Sequence, residues 1–541
     1  MESIKSLIGR RQFLIFGGAA STLALAGKAE AAGKENSTAC GANQPTIIKG
    51  LNVEKPVHTP TDMSLTPAAF AGGGAPGGAP GGAPGGGAGA PGGAGAPGAP
   101  GGGAPGAGGT PSMADAGPPT TSMTAIPAIR VVDGKYLAEK SSTGAVSAGK
   151  ASDKFSSGAK IAGKTADVGG IYVTGLGTEY VLADATINLE GDGPIGLGGT
   201  NCGAGADDHA TLIIRNCTIS TTGTWRAATA VNDHSVLKVY NSTLKASGKP
   251  FTPNFAATGQ KTQLEIDGNS RCHVTLSNSY SYFYYSTIIA EGWAALSTDS
   301  SDGFVYLEAN DCTVKTLTSG YGTYADGGCH NVLNRCTFDV ADMAGIIAGE
   351  ADITFTEPKA KCGSYFALIH SFSSGDVGTL KVIGGEIQTK KPVILTKSAN
   401  TEILLQGIKV KSDGGVLIKS TMSVDPHAAA AANTKGQKVY GIHLTLKDMD
   451  TAGDILHEDK ESRGMTVYLE AATLKGAIKD ASIKLDRLSK WFATADSNVT
   501  IIGNVEVSQI DAPAGVTITA VASQTGTYKL ASCGTLVLKT A

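Results

Sequence analysis

The stretch Leu212-Ile-Ile-Arg-Asn216-Cys217-Thr218-Ile219, answered 25 residues later by Leu237-Lys-Val-Tyr-Asn241-Ser242-Thr243-Leu244, decides the architecture of this chain. Both copies read apolar, any, apolar, any, Asn, small, Thr, apolar. That is a short strand of period two, an Asn that favours a turn, and a Thr that opens the next strand. Self-similarity at this step marks one rung of a solenoid.

Working outward, Tyr180-Val-Leu-Ala-Asp184-Ala-Thr186-Ile187 precedes and Leu307-Glu-Ala-Asn-Asp311-Cys312-Thr313-Val314 follows. More divergent copies run from Asn331 to Phe338, Leu380 to Ile387 and Val467 to Leu474. A rung of roughly 22 to 25 residues holds three short strands, and strands stacked in parallel about 4.8 Å apart bury an apolar ladder that no single rung could bury alone. Parallel crossovers are right-handed. The expectation is an all-β fold, a single-stranded right-handed parallel β-helix, with Thr186, Thr218, Thr243, Thr313 and Thr337 at equivalent positions.

On these repeats the chain resembles the right-handed parallel β-helix proteins, the pectate-lyase-like superfamily of polysaccharide lyases, hydrolases, epimerases and bacterial adhesin-like proteins. The resemblance covers roughly Ile171 to Leu538 and is one of repeat. Asp208-His209 and Asp233-His234 occur, but the Arg-x-Pro-x-x-Arg element of pectate lyases and the Gly-His-Gly of polygalacturonases do not. No catalytic residue is therefore carried over. The resemblance implies a non-oxidative enzyme, or an adhesin-like protein without catalysis.

A chain of 541 residues with net charge -3 and both signs dispersed shows no electrostatic footprint for nucleic acid. Nine cysteines, an odd number, leave at least one thiol unpaired or intermolecular. Cys217, Cys312 and Cys336 share one repeat position: they read as small residues of an internal ladder or, for Cys312 and Cys336 on neighbouring rungs, as a disulfide.

In chain order, residues 1–31 read as a twin-arginine signal: Arg10-Arg11-Gln12-Phe13-Leu14, an apolar run, then Ala29-Glu30-Ala31 as cleavage site. An ordinary secretory signal is the alternative. The reading places the protein in the periplasm or at the cell surface. Folded export permits a cofactor without requiring one. Residues 32–70 read as unstructured, and Cys40 has no lipobox before it. Residues 71–125 form a linker, almost only Gly, Ala and Pro from Ala71 to Gly109. Such a tract cannot bury apolar surface, so it reads as a tether to the envelope or a neutral expansion. Residues 126–541 carry the solenoid, with Ile129-Arg-Val-Val as a first strand and the alternating tail after Trp491 as its finish. Residues in excess of the rung, Gly248 to Lys261, Tyr280 to Ser301 and Lys411 to Lys435, read as loops. Nothing beyond the N-terminus is apolar enough to span a membrane.

Two constellations carry chemistry. Asp208-His209 and Asp233-His234 should stack one rung apart, where they could hold a divalent metal or serve only as turn residues. The second runs through Tyr280-Ser-Tyr-Phe-Tyr284-Tyr285, Trp293, Asp302, Tyr321, Tyr324, Asp326 and His330. Aromatic faces suit sugar or phenolic rings, while carboxylates, His and Tyr suit proton transfer. The expected groove assigns Asp302, Asp326, His330 and Tyr324 to acid and base work, with Tyr284, Trp293 and Tyr321 against a polysaccharide or aromatic substrate. A packed loop or oligomer contact is the alternative. Nicotinamide, flavin and haem signatures are absent.

Overall fold

The computed structural model describes residues 40, 45–58, 124–194, 199, 201–250, 264–299, 303–424 and 433–541. The signal reading, the Ala71 to Gly109 tract and Asp302 lie outside them.

Three columns of parallel strands wind through the molecule. Leu212 and Val236 sit where the repeat puts them: the first column stacks Glu179–Ala183, Thr211–Arg215, Val236–Tyr240, Tyr280–Tyr284, Val305–Asn310, Cys329–Asn334 and Asp352–Thr356 in register. The second pairs Thr186, Thr218, Thr243, Thr287, Thr313 and Thr337 in one unbroken ladder. The third runs through Thr229–Val231, Ser270–Leu276, Trp293–Asp299, Tyr321–Ala325, Met343–Ala348, Ala367–His370 and Ile394–Lys397. With 57% strand and 2% helix, the fold is the expected β-helix.

Each first-to-second turn pivots on one residue in the left-handed region, filled by Asp184, Asn216, Asn241 and Asp311 (φ +47° to +54°). Asn and Asp tolerate this backbone because their short polar side chains bond locally. Elsewhere the same pivot is Tyr285, Arg335, Glu357 or Ala471. Stacking thus imposes a conformation that costs an ordinary L-residue about 1–2 kcal/mol. Small residues follow the pivot. Ser242 Oγ donates to Tyr240 O (2.7 Å) and accepts the amide of Cys217 (3.0 Å), and Ser286 repeats this one rung on.

Inward positions build the core, through Leu212, Leu237 and Leu307 on one ladder and Ile214, Val239, Phe283, Leu333 and Phe355 on the next. Ser281 interrupts the first ladder and is satisfied by His273 Nε2 (3.0 Å) and Thr275 Oγ1 (2.7 Å).

Three local expectations are revised. Of the stretch from Tyr280 to Ser301, the described residues to Asp299 form a full rung, with strands Tyr280–Tyr284, Thr287–Ala290 and Trp293–Asp299. It escaped the pattern because Tyr285 replaces the pivotal Asn. Likewise Lys411 to Lys435 takes in the end of Lys409–Ser412 and all of Val416–Thr421. Cys312 and Cys336 are neighbours, as the ladder requires, but their thiols are reduced, donating to Asn310 O (3.3 Å) and Asn334 O (3.5 Å). The disulfide joins Cys40 to Cys533.

That bond anchors a strap. Ile47–Lys49 pairs antiparallel with Asn504–Glu506, and the chain continues along the outer first column, where Lys55 meets Glu402 (2.7 Å) and His58 meets Glu350 (3.1 Å). At the other end Ile126–Val132 joins the third column, and the antiparallel pair Val146–Ala151 and Phe155–Gly163 lies over the first rungs. Among the described residues no helix is long and apolar enough to cross a membrane.

Candidate functional site

Strand alternation throws Tyr280, Tyr282 and Tyr284 outward while Ser281 and Phe283 point into the core. Because the strands stack in register, these rings meet those of adjacent rungs. Tyr284 lies flat on Tyr240 (centroids 5.0 Å apart, planes 8° off parallel), and Arg215 sits over Tyr240 at 5.3 Å. Tyr306 lies 5.9 Å from Tyr282 and 6.5 Å from Tyr280, Phe304 stacks on Tyr306 (6.4 Å), and His330 stacks on Phe304 (4.7 Å). The tyrosines are half-buried and Phe304 is 37% exposed, so each keeps a side turned to water.

Polar groups edge this array. Tyr306 donates to Glu308 (2.9 Å), and His330 Nδ1 is paired with Asp352 on the next rung. Burial, with the Glu308 charge and its hydrogen bond, pushes the Tyr306 phenol far above its ordinary value; burial and Glu308 also raise Tyr282 and Tyr284. All three remain neutral hydroxyl donors across the physiological range.

The remaining predicted groove residues lie on another side of the solenoid. Trp293, Tyr321 and Tyr324 belong to the third column and are 2%, 1% and 8% exposed. They pack with Met343, Ile346, Leu368 and Leu395 beneath Leu264 and Ile266. Tyr321 gives or takes a hydrogen bond with Ser297 (2.9 Å), and Arg271, ion-paired with Asp299, lies 5.7 Å from the Tyr324 ring. Burial and the nearby Asp326 carboxylate hold the Tyr324 phenol well above its usual range, so it keeps its proton. Tyr324 and Asp326 are therefore neighbours, whereas His330 is paired with Asp352. The single groove joining Trp293 and Tyr321 to Tyr284 is not formed, because a rung turns its strands to different faces.

Farther along the third column Glu265 reaches across to Tyr365 (3.0 Å), Lys391 (3.0 Å) and Lys397 (3.1 Å). Burial alone would raise its carboxyl; Lys397 and Lys391 overcome this and hold it below its ordinary value. Beside Lys397, His370 is wholly buried with neither ring nitrogen hydrogen-bonded, and burial drops its pKa to about 3.

Asp208-His209 and Asp233-His234 occupy two-residue turns between third and first columns, all four residues at positive φ (+48° to +61°). His209 and His234 stack at 4.6 Å, and Asp233 Oδ1 lies 2.9 Å from His234 Nδ1. Ligand atoms of His209, Asp233 and His234 converge within 4.8 Å; Asp208 is not one of the group.

The sequence reading missed Tyr240, Phe304, Tyr306, Glu308 and Asp352, and took in Tyr282 without giving it a role. The register carried the signal: Tyr240 and Tyr284 follow the same pattern position, and Asp352 stands one rung after His330. A shallow groove of about 630 Å³ lies elsewhere, on the second column among Lys359, Lys361, Lys409 and Lys411. Its rim is solvated, with Lys409 paired to Glu386 (3.2 Å), so it is a weaker candidate than the aromatic face.

No known protein-family model matches the chain, and no curated protein matches it.

Proposed function

We propose that this is an exported polysaccharide-binding β-helix protein that holds a glycan chain along its outer first column, in the manner of a tethered adhesin-like surface protein. The observation that supports it is the array of half-exposed rings from Tyr240 to His330, repeated at about 4.8 Å per rung, on an open face edged by neutral phenols and by Glu308. The ring edges left open to water can meet the C–H groups of sugars, and the phenols bond their hydroxyls. Export by the twin-arginine signal fits the Cys40–Cys533 disulfide, a bond that persists in oxidising compartments.

A second reading, a non-oxidative lyase, hydrolase, epimerase or isomerase, draws on one feature: His330, oriented by Asp352 and stacked on Phe304, is placed as a general base at the edge of the same face. One experiment separates the two. Mature protein is run in affinity electrophoresis against neutral and acidic polysaccharides, and each mixture is followed by mass spectrometry. Retardation without products, abolished in the Tyr282→Ala/Tyr284→Ala double variant, is the expected result. Products lost in His330→Ala would establish the enzyme, and neither retardation nor products would reject both.

A further inference from the structure

We propose that His209, Asp233 and His234 form a binding site for one first-row divalent metal ion, with zinc the ion its donor set fits best. The inference stands apart from the glycan reading, since it rests on the turns between third and first columns.

The turns are built alike. Asp208 and Asp233 have φ of +52° and +48°, His209 and His234 of +61° and +59°. Two turns of one geometry, one rung apart, project their imidazoles in the same direction, which is why the rings superpose at 4.6 Å. Inter-rung hydrogen bonds fix both: His209 N donates to Asp233 O (2.9 Å) and His234 N to Ser277 O (3.1 Å). The arrangement ends there, because the equivalent turn on the next rung carries Ser277 and Asn278, with Asn278 Oδ1 accepting the Phe304 amide.

Three donors are thereby gathered within 4.8 Å of one another. Zinc bonds of about 2.0–2.1 Å at tetrahedral angles put neighbouring ligand atoms about 3.3 Å apart. Asp233 Oδ1 and His234 Nδ1, at 2.9 Å, already approximate that spacing. The His209 nitrogen lies within 4.8 Å of both, so it needs to close by no more than about 1.5 Å to reach that spacing. Both imidazoles are exposed, so rotation about their side-chain bonds supplies that movement without disturbing the turns. Two imidazoles and one carboxylate select zinc and its neighbours over calcium or magnesium, which take oxygen ligands, and the fourth position stays open to water.

The test is isothermal titration of the full chain, stripped with chelator and free of any affinity tag, with Zn²⁺ and separately with Ca²⁺. Expected is one equivalent of Zn²⁺ and no Ca²⁺, with an X-ray absorption shell of nitrogen and oxygen that includes imidazole scattering. His209→Asn and His234→Asn, which keep a residue tolerant of the left-handed backbone, should each weaken Zn²⁺ binding about tenfold or more. Asp208→Asn should leave it unchanged. Absence of Zn²⁺ binding in the unaltered protein, binding that survives in the His209→Asn/His234→Asn double variant, or a site that prefers Ca²⁺ would each overturn the proposal.

Discussion

The same rungs present two outer faces that could hardly differ more in environment. Tyr280, Tyr282 and Tyr284 stand half-exposed on the first column, whereas Trp293 to Asp299, a few residues on in the same rung, are buried on both sides of their strand. Composition does not separate them, since both carry aromatics with charged neighbours. The difference is the crossing segment: Leu264 and Ile266 lie over the third column, and Glu265 pins them to Tyr365, Lys391 and Lys397. Under cover, Arg271 and Asp299 pair and His370 gives up its ordinary basicity. In the open, rings stack on one another and keep a free side. An outward row of a solenoid is surface or second core according to what crosses it.

The sharpest way to break this comparison is to delete one large ring from each face. Trp293→Ala should cost about 3–5 kcal/mol, the usual range for emptying a buried aromatic site, read as a lower urea midpoint at unchanged slope. Tyr282→Ala should cost less, about 1 kcal/mol, because its ring keeps a water-facing part and leaves no enclosed cavity behind. Equal losses would mean that the first face is packed too, and the glycan platform would go with it.

Period-two patterning and the Asn-small-Thr turn made the stack legible, down to the threonine ladder, because those residues are fixed by local backbone chemistry. The rung starting at Tyr280 was not legible as a rung, since stacking forces Tyr285 into a backbone that Asn would normally announce. The site was half legible. Alternation puts half of the run from Tyr280 to Tyr285 outside, but the sequence does not say which way Trp293 and Tyr324 face, and nothing in either strand says that Leu264 and Ile266 pack against them. His330 was found without its partner, because Asp352 comes from the register of the next rung. The link between Cys40 and Cys533 spans a sequence separation of 493 residues and has no local signature.

Acid should separate the faces next. Four of the described imidazoles are buried and held below their ordinary basicity by burial, His443 and His457 among them; the two brought lowest, to about 3, are His273 inside the coil among Thr229, Thr275 and Ser281, and His370 under the third-column cover beside Lys397. Unfolded, each titrates near 6.5. Between those values only the unfolded chain binds the proton, so stability is fully present above about pH 6.5 and falls as pH drops. The loss is about 1.4 kcal/mol per ring at pH 5.5, close to 3 kcal/mol for the two together, and ends near pH 3. Urea midpoints from pH 7.5 to 5 should therefore slope, and His370→Gln should remove about half of this contribution. An unchanged slope in that variant would mean that the cover over the third column opens to water.

The smallest effect is the one that addresses function. If a glycan lies along the open face, each ring acts as a separate platform, and removing one should lose about 0.5–1.5 kcal/mol of binding, roughly two- to twelvefold in affinity. Tyr240→Ala, Tyr284→Ala and Tyr306→Ala are the series, since these rings occupy successive rungs on the exposed side of the first column. Tyr321→Phe is the matched control from the covered face: it removes the Ser297 hydrogen bond and should lower stability by about 1 kcal/mol while leaving affinity alone. A graded loss along the first-column series with no change in the control places the ligand on the open face. If Tyr321→Phe weakens binding as much as Tyr284→Ala does, the polymer is reaching the third column, and the division between an open and a covered face is wrong at the point where it matters for function.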